Sequence, residues 1–256
     1  MASNETRIQD FFREVPLDYG LLAHLLLSLL PATGKLRLRR LDRMEWAFGQ
    51  YQVNILLITV GQGAFQVPLY WELLDNRIGN SSAADRIALL QTCVHVLGKH
   101  RIGLVLSDRE FVGHVWLKWL KDNGLNFVMR LPYMDQLYAR RWTIEQCFQN
   151  LKGQGFILEV SHLCCRHKLC KLVALVSLAY ALCLSVGTVA HVKCAPIARK
   201  NHGYYATSLS RHGLNILRQI TRPATSPHEP MAQMVDALLR WISCKIARYQ
   251  PTKIVG

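Results

Sequence analysis

The sequence predicts an α/β fold: a mixed sheet flanked by helices, with a short helical lead before it and a basic helical part after it. Three observations carry that expectation. Val53–Val60 is a nearly continuous aliphatic run, which fits a strand buried on both faces. Apolar segments of strand length lie on either side of it with short connections. The apolar spacing then changes from strand to helix period over Ala83–Leu97. Half of the 256 residues are hydrophobic, enough for one substantial core.

Taken in order, residues 1–33 read as one helix, Leu21–Leu30, behind a polar lead and closed by Pro31 and Gly34. Leu36, Leu38 and Leu41 begin a strand that runs into Asp42. Gly61-Gln-Gly63 turns the aliphatic second strand into a third, Ala64–Tyr70, so the three form an antiparallel meander. Asn80-Ser-Ser82 caps a helix over Ala83–Leu97, with Ile87, Leu90 and Val94 on one side and Asp85 and Arg86 on the other, and Gly98 ends it. Ile102–Leu106 is a fourth strand with Asp108 just past its end, where the aspartate also suits a helix N-cap. Phe111–Lys121 is a helix stopped by Asn123-Gly124, and Phe127–Leu131 is a fifth strand broken by Pro132. Asp135 then caps a further helix. The order β-β-β-α-β-α-β-α is that of the ribonuclease-H fold.

Leu172–Val192 runs 21 residues without a formal charge, long enough to span a bilayer. Ser177, Tyr180, Ser185, Gly187, Thr188 and His191 within it favour a buried core helix. Lys193–Arg222 reads as irregular and basic, Arg222–Pro230 as a linker, and Met231–Ile246 as a last amphipathic helix. The expected organisation is a helical remnant over 1–33, a catalytic core over 34–192 and a basic tail over 193–256.

Lysine and arginine total 31 against 17 acids, a formal charge of +14. Residues 161–256 hold thirteen lysines and arginines but only two acids, Glu229 and Asp236. Such an excess points to a polyanion partner, DNA or RNA ahead of an acidic membrane. Eight scattered cysteines, several inside apolar runs, fit a reduced compartment rather than a disulfide framework. The cluster Cys164, Cys165, His167 and Cys170 lacks a second ligand pair at zinc spacing. The N-terminus has no basic region followed by an apolar core, and Leu21–Leu30 is too short to cross a bilayer, so a cytoplasmic protein is expected.

The most informative segment runs from Tyr138 to Lys152. At roughly 100° per residue, Tyr138, Arg141, Glu145 and Lys152 fall within about 60° of one helix face. Ile144, Cys147 and Leu151 lie on the apolar side of the helix, with Phe148 at the border between it and the stripe. A tyrosine, two cations and a carboxylate in one stripe suit a phosphate backbone beside a metal-held reaction centre. In a ribonuclease-H layout, carboxylates at strand ends and on the facing helix do the chemistry. Asp42 ends the first predicted strand, Asp108 follows the fourth, and Glu145 lies on the last core helix. Three such carboxylates can hold two divalent ions about 3.5–4 Å apart. Oxygen donors suit Mg²⁺, which takes few protein carboxylates, and they also accept Mn²⁺.

These residues carry a specific resemblance. Tyr138, Arg141, Glu145 and Lys152 match the Tyr-x2-Arg-x3-Glu-x6-Lys signature of bacterial insertion-sequence transposases of the DDE class, insertion-sequence-four group. Leu41-Asp-Arg-Met-Glu-Trp46 and Ser107-Asp-Arg-Glu-Phe-Val-Gly113 resemble the segments around that family's two aspartates, and Gly79-Asn-Ser-Ser82 and Lys152-Gly-Gln-Gly-Phe156 also fit. The likeness covers roughly residues 15–220. It implies that Asp42, Asp108 and Glu145 are catalytic metal ligands, and that Tyr138, Arg141 and Lys152 bind DNA phosphates beside the cleaved bond. It also implies two divalent metal ions, transposon-end and target DNA as partners, and a homodimer in the synaptic complex, in a nucleoid-associated cytoplasmic protein.

The chain departs from the family in three places. Only 36 residues separate Asp108 from Glu145, where relatives carry a strand-rich insertion. Only 41 near-neutral residues precede Asp42, where relatives place an end-recognition domain. Met44 stands where the family has threonine. Two functions are therefore expected to compete: a DNA transposase, and an internally deleted derivative that binds DNA or joins full-length transposase without chemistry. An unrelated nuclease of ribonuclease-H type would require the signature helix to be coincidence.

Overall fold

The computed structural model describes residues 3–30, 38–48, 51–62, 65–75, 79–129, 163, 165–201, 203–220 and 229–249. Among these, five strands form one sheet: β1 (Leu38–Phe48), β2 (Tyr51–Gln62), β3 (Phe65–Leu73), β4 (Leu104–Ser107) and β5 (Asn126–Met129). Their spatial order is β3-β2-β1-β4-β5. The first three pair antiparallel, and β4 and β5 add to β1 in parallel. This is the ribonuclease-H arrangement expected from the sequence, with helices on both faces.

Alternation along β1 and β2 separates the two faces. Met44, Trp46, Leu57 and Trp71 join one buried cluster, shared with α2 (Tyr19–Leu29) and the long α5 (Arg166–Lys193). Leu41, Leu56, Ile58 and Val105 join a second, closed by α3 (Ala83–Leu97) and α4 (His114–Asp122). α3 begins and ends where the sequence places it: the Ser82 side chain and Asp85 form a reciprocal capping box, and Gly98 at φ +82° terminates the helix.

Several expectations need correction. The polar lead is itself a helix, α1 (Asn4–Glu14), N-capped by Ser3. None of its residues is buried, which is why no apolar stripe announced it. Lys171 of α5, 1% exposed, donates to the Phe11 and Phe12 carbonyls at 3.1 and 3.0 Å and so caps its C-terminal end. Arg86 does not face solvent with Asp85 but is buried, because the inward stripe of α3 is Arg86, Leu89, Leu90, Cys93 and Leu97. The helix expected over Phe111–Lys121 divides into a 3₁₀ turn, Arg109–Phe111, and α4. The stretch after Lys193 is not irregular throughout: it contains α6 (Leu209–Ile220), followed by α7 (Glu229–Ala247).

α5 is long and apolar enough, by length and composition, to cross a membrane. Its first half packs on the sheet through Leu169, Val173, Tyr180 and Ala181. Its second half meets α6 and α7 through Val186, Ala190, Ile216 and Val235. Gly187 and Gly213 set how closely α5 and α6 approach. A Cβ on Gly187 would overlap the Leu209 carbonyl oxygen, and one on Gly213 would overlap the Cys183 carbonyl oxygen. Since both obstacles are backbone, no side-chain rearrangement relieves them. Gly187→Ala is expected to cost about 3 kcal/mol, read as a lower urea midpoint. An unchanged midpoint would show that the helices cross elsewhere.

Candidate two-carboxylate site

β1 and β4 bring two of the expected catalytic residues together. Their parallel register ends with Leu41 opposite Ser107, so Asp42 within β1 and Asp108 just past the end of β4 occupy the next positions. Strands in a sheet lie about 4.8 Å apart, so the two backbones are close enough for their carboxylates to share one cation. Both residues face the α2/α5 side: Asp42 alternates with Met44 and Trp46, and Asp108 continues β4 in extended conformation with φ −79° and ψ 172°.

One expectation about Asp42 is corrected. It does not end β1 but lies inside it, because β1 continues to Phe48 against β2 after its pairing with β4 has stopped at Leu41. It is therefore buried, at 7% exposure, while Asp108 is half-buried. A buried carboxylate is costly unless hydrogen bonds or a cation offset it. The Arg43 amide donates to Asp42 Oδ1 at 2.9 Å, and the Arg109 amide donates to Asp108 Oδ1 at 2.7 Å. The second bond makes Asp108 the cap of the 3₁₀ turn Arg109–Phe111, so capping and metal ligation are compatible roles for it.

A frame of charged residues holds this pair in place, and the sequence reading missed it. Arg43 points to the opposite face from Asp42 and donates to Glu45 on its own strand and to Glu110 at 3.3 Å. Burial works against its charge, but the hydrogen bonds to Glu45 and Glu110 outweigh it and raise its pKa above the ordinary arginine value. Glu110 lies two residues after Asp108, so this ion pair ties the strand carrying one aspartate to the turn following the other. Arg86 reaches the same turn from α3. It donates to the Ser81 hydroxyl at 2.9 Å, to the Ser81 carbonyl, and to the Glu110 carbonyl at 3.4 Å, with its guanidinium 4.9 Å from the Phe111 ring centre. Burial lowers its pKa, opposed by Glu110 and Asp85. The signal for Arg86 was its place in the apolar i, i+3, i+4, i+7 stripe of α3.

Glu145, Tyr138, Arg141 and Lys152 lie outside the described residues, as does Cys164 of the cysteine cluster. Among the described residues no three His, Cys, Asp or Glu side chains gather as a metal site. Asp42 and Asp108 supply two hard oxygen donors on one face, a set that fits Mg²⁺ or Mn²⁺, which need few protein carboxylates and complete their shells with water. Elsewhere, a cavity of about 390 Å³ opens at the β3 edge, lined by Tyr19, Tyr70, Trp71, Glu72, Arg166 and Cys170. Burial, with Cys170 and Tyr70 nearby, pushes the Tyr19 phenol up to about 12, and burial also raises Glu72 and Cys170. Neither Asp42 nor Asp108 lines it.

Because asparagine caps about as well as aspartate, Asp108→Asn is expected to leave unfolding free energy within about 0.5 kcal/mol of the parent, whereas Asp108→Ala costs about 1 kcal/mol. Urea melts of both variants check this. Equal loss in both would mean that the carboxylate charge, not the cap, holds the turn.

No protein-family profile matches the chain, and no curated protein matches it. Among solved structures, the chain is similar to a chain of the simian T-cell lymphotropic virus intasome, with a TM-score of 0.40, 10% identity and coverage of 79% of this chain and 60% of that one. It is also similar to the HTLV-2 integrase catalytic core domain in complex with magnesium (dimeric form), with a TM-score of 0.38 and 9% identity, covering 56% of this chain and 86% of that one. For the BIV integrase catalytic core domain the values are 0.38 and 13%, covering 71% and 96%. The chain thus spans three-fifths of the intasome chain it matches.

Proposed function

We propose that this chain is a DDE-type DNA transposase of the insertion-sequence-four group, performing divalent-metal-dependent phosphodiester cleavage and strand transfer at insertion-sequence ends. The observation that carries the reading is the register that sets Asp42 beside Asp108 on one face of a ribonuclease-H-type sheet. The signature from Tyr138 to Lys152 supports it from the sequence.

In this reading Asp42 and Asp108 would hold a divalent cation, and Glu145 would complete a site for two. Mg²⁺ or Mn²⁺ bound there supplies a more acidic attacking water or hydroxyl and neutralises charge on the leaving oxygen. The protein's own part is placement. The Arg43 and Arg109 amides orient the two carboxylates, and the ion pair of Arg43 with Glu110 keeps their strands in step. Tyr138, Arg141 and Lys152 bind the phosphates on either side of the cleaved bond. The partners are transposon-end and target DNA and a second copy of the chain, in the bacterial cytoplasm.

A second reading rests on the 36 residues between Asp108 and Glu145 and on Met44, which is buried at 5% exposure where a hydroxyl is the family's residue. Here the chain is an internally deleted derivative that binds DNA, or joins a full-length transposase, without chemistry.

Incubation with labelled DNA carrying the element's ends, in Mg²⁺ or Mn²⁺, separates the two. The transposase reading expects cleavage at the ends that falls at least 100-fold in Glu145→Gln and in Asp42→Asn, with DNA binding retained. Equal cleavage by Glu145→Gln would remove Glu145 from the mechanism. Binding without cleavage by the parent protein would establish the second reading.

A further inference from the structure

From Val160 to His228 the chain contains no aspartate or glutamate, yet it carries nine lysines and arginines. Within that acid-free stretch one short element stands out. Where α5 ends, the chain turns back on itself in a small hairpin, with an antiparallel bridge between Arg199 and Tyr205. The Lys200 amide donates to the Tyr204 carbonyl at 2.8 Å, the Gly203 amide to the Lys200 carbonyl at 2.8 Å, and the Ala206 amide to the Ala198 carbonyl at 2.8 Å. Gly203, at φ +85°, supplies the left-handed residue that the turn needs.

The hairpin is anchored firmly at its base and exposed at its tip. Ile197 is buried, and its amide donates to His191 Nδ1 at 2.9 Å. His212 Nε2 of α6 lies 3.0 Å from the Ala195 carbonyl. The His191 ring meets the Tyr205 ring edge-on, with centres 4.9 Å apart, and the Arg199 guanidinium lies 5.3 Å from the Tyr205 ring centre. Beyond this base the described residues are exposed. Arg199, Lys200 and Asn201 are exposed, and Tyr204 is 70% exposed. Neither Arg199 nor Lys200 forms a salt bridge among the described residues.

Two cations and a tyrosine held outward on an ordered turn form a surface that neutralises phosphates and offers a ring for a base to stack on. We propose that the Ala198–Ala206 hairpin is a DNA-contacting element, with Arg199 and Lys200 on the phosphate backbone and Tyr204 stacked on an unpaired base. At 1.5 Å per residue, α5 places it about 40 Å along the helix from Arg166. Arg166 binds Asp75 and the Leu73 carbonyl at the end of β3. The hairpin therefore lies at the far end of α5 from the β3 edge, a contact separate in sequence from the carboxylate pair. The inference rests on the reading that the chain acts on DNA, but not on its metal chemistry.

The test measures binding of fluorescent oligonucleotides in EDTA, as duplex and as single strand, at several salt concentrations. The double variant Arg199→Ala/Lys200→Ala should bind both about 10-fold more weakly, with a salt slope smaller by about 1.5–2, because each lost phosphate contact releases fewer counterions. Tyr204→Ala should weaken single-strand binding about 5-fold or more while leaving the duplex nearly unchanged, and Tyr204→Phe should restore it. Circular dichroism and a thermal melt matching the parent confirm that each variant folds, as expected of changes at exposed positions.

Parent-like affinity and slope in the double variant would overturn the hairpin assignment alone. Stronger hairpin-dependent binding to an RNA oligonucleotide of the same sequence would overturn the choice of DNA. A parent protein that binds no oligonucleotide even at low salt would overturn both this inference and the proposed function. Hairpin-dependent binding without metal-dependent cleavage would uphold the hairpin and count only against the chemistry.

Discussion

The parallel pairing of β1 with β4 is the contact on which the rest depends. β1 is bonded on both edges, antiparallel to β2 along most of its length and parallel to β4 only over Leu38–Leu41. A slip of one residue would turn every side chain of a strand to the other face. It would exchange Asp42 for Arg43 beside Asp108 and send Met44 and Trp46 out of their core. The hydrophobic demand on both faces of the sheet therefore fixes the register, and the register places the carboxylates. The Arg43–Glu110 pair and the Arg86 contacts with Ser81 and Glu110 reinforce the same alignment from the α3/α4 side. Individually such part-exposed ion pairs contribute little. Their value lies in orientation, since a partly buried carboxylate pair is useful to a cation only if both oxygens point the same way.

α5 links this centre to the basic end of the molecule. One helix of 28 residues belongs to two hydrophobic clusters, first with the sheet and α2 and then with α6 and α7. A rigid spine shared by two cores holds the hairpin after Lys193 at a set distance from the sheet. The acids of the chain lie mainly before residue 160, where the carboxylate pair needs them, and the following stretch is acid-free. In the proposed reading, that division suits a polyanion that reaches across both parts, its scissile phosphate at the carboxylate pair and its strand on the acid-free region.

Much of the sheet was legible because its signals were local. The nearly continuous aliphatic run Val53–Val60 fits a strand covered on both faces, and Ser82 with Asp85, then Gly98, mark the ends of α3 on chemistry alone. Asp42 and Asp108 were legible only as candidates, since nothing local states that β4 stops pairing at Leu41 while β1 continues. Arg86 was misread because a charged residue inside an apolar stripe is ordinarily placed on the solvent side, and its partners, Ser81 and the Glu110 carbonyl, come from elsewhere in the chain. α1 was missed because it buries nothing and is held by a lysine more than 150 residues away. α6 was hidden by its company of basic and polar residues, and its packing depends on two glycines, Gly187 and Gly213, whose meaning appears only when the helices cross.

The central claim is that strand register creates a divalent-cation site at Asp42 and Asp108. Iron-directed backbone cleavage tests it without reference to DNA or turnover. Fe²⁺ bound in place of Mg²⁺, with ascorbate and peroxide, cuts the polypeptide nearest the ion. The account expects cuts next to residues 42 and 108, suppressed by excess Mg²⁺ and lost in Asp42→Asn. Cuts confined to the neighbourhood of Cys165–Cys170, or unaffected by Mg²⁺ and by that substitution, would contradict it.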